Sequence, residues 1–134
     1  MNIKKILLTS LVIWIVTAVL GFLTCGQLFN WVYLLPPNIW KNPVEINFIG
    51  STLFGLFSAL LFVFVFAVLY KGIPNEGAKK GMTYGILVWL VSLGGLVGMS
   101  FYMTINLVVI LYWTIQALVM NIINGMIVGK IYQK

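Results

Sequence analysis

Residues 48–70 read FIGSTLFGLFSALLFVFVFAVLY, a run with no formal charge. As a helix rising 1.5 Å per residue, such a run crosses a hydrocarbon core about 30 Å thick. Residues 6–25, 82–103 and 107–131 are stretches of the same kind, without Asp, Glu, Arg, His or a mid-span Lys. The fold class this predicts is all-α: a polytopic membrane protein, an up-down-up-down bundle of four transmembrane helices in one domain over residues 1–134.

Composition agrees. The chain is 62% hydrophobic and 7% charged, where a soluble domain has about 25% charged residues. A small water-soluble fold has too much surface for its volume to hide that much apolar area, so lipid is the expected solvent and the bilayer the first expected partner. The net charge of +6 comes from lysine alone. The lysines sit at the ends of the apolar runs, not in a stripe, so no nucleic acid is expected. Cys25 is the single cysteine and has no partner for an internal disulfide. Phe22-Leu23-Thr24 ahead of it lacks the small residue that precedes a lipidated cysteine, so the first run reads as a spanning helix and not as a cleaved signal.

Lysine placement orients the helices. Lys4 and Lys5 precede the first run, Lys71, Lys79 and Lys80 separate the second from the third, and Lys130 and Lys134 close the fourth. Only Lys41, offset by Glu45, lies on the other side. The positive-inside rule therefore places both termini and the 73–80 loop in the cytoplasm. Lys/Asn/Ile bias and short loops read as prokaryotic, hence the cytoplasmic (inner) membrane. Gly72, Pro74 and Gly77 make the inner connection a tight turn, with Pro74 ending the second helix and Asn75 expected to cap the third. Asn106 is expected to cap the fourth. The outer connection, 26–47, is longer and aromatic, and Pro36, Pro37 and Pro43 keep it from spanning. Trp31, Tyr33 and Trp40 favour headgroup depth. A short interfacial helix near 28–35 and an extended return are expected, acting as an anchor or as a lid over the bundle mouth.

The two halves of the chain align weakly. Lys4-Lys5 falls on Lys79-Lys80 and Trp14 on Trp89, while Ile46-Asn47 falls on Ile105-Asn106 and Lys71 on Lys130. This is the pattern of a duplicated helical hairpin, as in transporters with parallel repeats. Topology alone also puts lysines at cytoplasmic ends.

Helices in lipid associate through small residues. Ser51, Gly55 and Ala59 form such a line on the second helix, and Ala117, Asn121, Gly125 and Gly129 another on the fourth. Thr17, Gly21 and Cys25 supply the first helix. The third carries Gly81, Gly85, Gly94, Gly95 and Gly98, which suits a tightly packed central helix or a face for self-association. The polar groups inside the membrane are concentrated in the fourth run, at Thr114, Gln116, Asn121 and Asn124. An unsatisfied amide in hydrocarbon costs several kcal/mol, so these need partners, expected at Thr17, Ser58 and Ser92. They either fix helix register or line a neutral polar path or pocket.

Histidine is absent, and Glu45 and Glu76 are the only acids. They fall in opposite loops, which leaves no carboxylate pair, no Ser–His or Cys–His arrangement and no metal-ligand spacing. No enzyme activity and no cofactor are expected. The four-span layout is similar to that of small multidrug exporters, but those need a glutamate in the first span and this one has none. Three functions remain as expectations. The first is an assembly or accessory module that joins a homo-oligomer or a larger membrane partner through the third and fourth helices. The second is a small channel or uncoupled transporter for a small neutral solute along the fourth helix. The third is a bundle that binds lipid or another apolar ligand, open sideways beneath the outer loop.

Overall fold

A computed structural model describes residues 2–41 and 43–133; Lys134, one of the orienting lysines, lies outside them. Among the described residues four helices are long and apolar enough to cross a membrane, which marks an integral membrane protein. They are α1 (Ile3–Gly21), α2 (Phe48–Leu69), α3 (Gly77–Tyr102) and α4 (Leu107–Ile131). The first continues as a π-helix over Phe22–Leu28, so its apolar span runs further than residue 25. Short 3-10 turns follow at Asn30–Leu34 and Pro43–Glu45.

Asparagine starts three of the four helices. The side-chain oxygens of Asn2, Asn47 and Asn106 accept from the backbone N–H of Lys5, Gly50 and Val108, satisfying one of the donors every helix start leaves open. At α3 the expected cap is displaced. Asn75 takes the left-handed φ of 70°, and its amide donates to Thr83 Oγ1 at 3.2 Å. Glu76 is the N-cap, without a side-chain bond. The helix therefore begins at Gly77, ahead of the expected residue 82, and takes Lys79 and Lys80 into its first turn.

The tightest contact is α3 on α4. A Cβ added at Gly81 would run into the carbonyl of Gly125, and one at Gly85 into that of Asn121. Gly125 and Gly129 meet the carbonyls of Gly81 and Gly77 in return. Only glycine allows two backbones this close. Further along this antiparallel pair Trp89 Nε1 donates to the Thr114 carbonyl at 2.9 Å.

The repeat offset sets Phe62, Phe66 and Tyr70 of α2 where α4 has Asn121, Gly125 and Gly129. The first hairpin thus carries rings where the second carries glycine, and it packs differently. Phe66 is fully buried and packs edge-on against Tyr70, Tyr84 and Tyr132. With Ile6, Ile13, Val63 and Val128 they form the core. All of it lies in the half of the bundle nearer Lys5, Lys71, Lys80 and Lys130. Away from that end α2 leaves its neighbours, and Phe54 is 70% exposed.

Candidate functional site

Where α2 departs, a cleft of about 660 Å³ opens between α1 and α2. Trp14 and Thr17 line it from α1, Ser51, Gly55 and Ser58 from α2, and Asn124 reaches it from α4. Among the described residues none that lines it is charged. Gly55 creates the room: a Cβ there would sit 3.4 Å from Trp14 Nε1. The hydroxyls of Ser51 and Ser58 donate to the carbonyls of Phe48 and Phe54, both at 2.9 Å. Each keeps acceptor capacity. Thr17 and Asn124 bond to each other, Nδ2 to Oγ1 at 3.0 Å and Oγ1 to Oδ1 at 3.2 Å. The site is an apolar slot with a neutral polar floor.

The four polar residues of α4 do not share one path. Asn124 reaches the cleft. Asn121 donates to its own helix, at the Ala117 carbonyl, 2.8 Å away, and Thr114 does the same at Ile110, 2.8 Å. Gln116 points elsewhere, donating to Thr24 Oγ1 and Cys25 Sγ, each at 2.9 Å. At about 100° per residue the four positions fall within one half of the helix, and their separation along it gives Gln116 and Asn124 different partners on the first helix. Of the expected partners, Thr17 pairs with Asn124. Ser92 bonds the Trp89 carbonyl of its own helix, and Ser58 does likewise at Phe54. Thr17 and Cys25 of the first helix's small-residue line both meet α4; Thr24 as a partner of Gln116 was not expected.

The 26–47 loop folds onto the start of α4. Tyr33 OH accepts from Trp113 Nε1 at 3.0 Å, and Trp40 packs edge-on against Tyr33 and Trp113 with centroids 5.1 and 5.6 Å apart. Asn106 Nδ2 donates to the Pro36 carbonyl at 3.1 Å. Trp31 points away, 54% exposed. Burial pushes the Tyr33 phenol above its ordinary pKa, and the Cys25 thiol beside it pushes the same way. A second, apolar hollow of about 480 Å³ lies nearby on α1 and α4, by Phe29, Gln116 and Met120. Among the described residues no three of His, Cys, Asp and Glu come together.

The cleft's small residues were visible in the sequence as Ser51, Gly55 and Ala59, read there as a packing stripe. In the fold Ala59 is buried and Gly55 lies against Trp14, and all three residues line the cleft. Comparison of the chain with protein-family models, curated proteins and solved structures finds no match.

Proposed function

We propose that this protein is a non-enzymatic membrane module that takes a neutral amphiphile from the bilayer into the α1/α2 cleft. The observation that carries the reading is the cleft itself. Its volume falls within the range of about 300–1,000 Å³ typical of small-ligand sites, its walls are apolar, and its polar groups are all neutral. A ligand charged in the slot would lose its hydration without a counter-charge; a hydroxyl or ester beside an acyl chain would find Thr17, Asn124 and the serines.

The test is photolabelling in nanodiscs with a diazirine-bearing diacylglycerol. Label is expected on peptides of α1 and of the first half of α2. Gly55→Phe, which fills the slot, is expected to cut it about tenfold while the helical circular dichroism stays as it was. Label spread evenly over all four helices, or untouched by Gly55→Phe, would reject the reading.

Two further parts belong to this proposal. The termini and the lysine-rich end face the cytoplasm, supported by Lys4, Lys5, Lys71, Lys79, Lys80 and Lys130 at one end against Lys41 at the other. The chain is also a duplicated hairpin. The offsets that carry Trp14 onto Trp89 and Gly55 onto Thr114 superpose two real contacts, Trp14 against Gly55 and Trp89 on the Thr114 carbonyl.

A second reading, assembly with another copy, rests on the outer half of α3. Gly81 and Gly85 are used inside the chain, but Gly94, Gly95 and Gly98 have nothing within 4 Å of an added Cβ. Gly95→Leu is expected to convert an oligomer to a monomer in mild detergent. A wild-type protein that is already monomeric there would remove this reading.

A further inference from the structure

At the lysine-rich end a separate polar cavity of about 520 Å³ lies between the end of α2, the start of α3 and Gln133, just past α4. Tyr70, Asn75, Glu76, Lys80 and Gln133 line it. We infer that it is a binding site for a zwitterionic amino-phosphate group, the chemistry of phosphoethanolamine, independent of the α1/α2 cleft.

Lys80 is only 8% exposed. Its Nζ donates to the Tyr70 carbonyl at 2.9 Å and lies 4.5 Å from the centroid of the Tyr70 ring. Both of these partners are neutral. An ammonium has three donors, and burying one without an anion costs several kcal/mol. A phosphate in the cavity offsets that cost. The start of α3 adds to the attraction, because no side chain caps it and its leading N–H groups carry the positive end of the helix dipole.

A simple anion would also meet the Glu76 carboxylate, which lines the same cavity and is exposed. A ligand with an amine one short linker away from its phosphate satisfies both charges: phosphate on Lys80, amine on Glu76. The cavity sits where the apolar spans end, at headgroup depth for a phospholipid. The same chemistry is offered by a soluble phosphoethanolamine.

The experiment is native mass spectrometry of the full chain released from nanodiscs holding equal parts of phosphatidylethanolamine, phosphatidylglycerol and phosphatidylcholine. The ethanolamine lipid is expected to be retained about tenfold over each of the others. Lys80→Met abolishes the preference. Glu76→Gln, an exposed change that leaves the fold alone, shifts it towards phosphatidylglycerol. Equal retention of the three lipids overturns the inference, and so does a preference that survives both substitutions. Were Lys80 only a tie to the end of α2, Lys80→Met would lower the thermal midpoint and leave the lipid preference as it was. Soluble phosphoethanolamine added before release assigns the source: displacement of the retained lipid marks a headgroup-sized ligand, and resistance marks the whole lipid. Gly55→Phe is expected to keep the preference, which separates this site from the cleft.

Discussion

Gly85 and Gly94 lie on the same helix in opposite circumstances. A Cβ at Gly85 meets the Asn121 carbonyl, whereas one at Gly94 meets nothing within 4 Å. Gly85→Val is therefore expected to force α3 and α4 apart and cost about 1–3 kcal/mol, the range for overpacking. Gly94→Ala is expected to stay within about 0.5 kcal/mol. Unfolding in mixed micelles measures both, and equal effects would contradict the seam. Asn124→Leu removes one partner of Thr17, at an expected cost of about 0.6–2 kcal/mol for a hydrogen bond inside a membrane protein. Asn121→Leu tests the contrast, since its amide bonds only its own helix and its loss should weigh less. Tyr33 carries a pH dependence. A phenol whose folded pKa is raised contributes stability that is full below the ordinary value of 10.0 and is lost as pH rises beyond it. Thermal midpoints are expected to be flat through neutral pH and to fall above that value, and Tyr33→Phe should flatten the fall.

The two helix pairs, α1 with α2 and α3 with α4, differ in how they close. Glycine at Gly81, Gly85, Gly125 and Gly129 brings α3 onto α4 along half their length. Phe62, Phe66 and Tyr70 hold α2 at the distance a ring requires, and only over its second half. Spin labels at Val19 and Thr52, in a Cys25→Ala background, are expected to give a broad distance distribution. Labels spanning α3 and α4 at Met82 and Met126 should give a narrow one. Similar widths would argue against an α2 that is held over its second half only. Asn106 was legible as a cap because a short polar side chain before an apolar run has one obvious use. Asn75 looked the same in sequence. With Gly77 also at positive φ (52°), the turn instead makes Glu76 the first residue of the helix boundary.

At the scale of the molecule, the charges divide into a lysine-rich end and an outer end holding Lys41 and Glu45. Cysteines substituted at Lys79 and Lys130, again without Cys25, are expected to react in whole cells only with a membrane-permeant reagent. One at Lys41 is expected to react with an impermeant one. The reverse pattern would invert the proposed orientation. The packed core and the polar cavity share the lysine-rich end, and the cleft opens away from it, so the two candidate sites occupy different depths.

The spans, the Asn106 cap and the separation of lysines followed from sequence, because length, charge and capping chemistry act locally and lipid enforces them strongly. Small residues marked the facing sides of α3 and α4 at Gly81, Gly85, Asn121, Gly125 and Gly129; polarity did not mark which face of a helix turns inward. In water a polar side and an apolar side reveal that face, but here nearly every side is apolar and lipid is as good a neighbour as leucine. Small residues were the remaining signal, and they served two ends: Gly81 and Gly125 let two backbones meet, while Gly55 lies against Trp14 at the edge of a cleft. Only the tertiary structure could separate these, because the answer for Gly55 depends on Trp14 across the cleft, and for Lys80 on a carbonyl and a ring supplied by another helix's end.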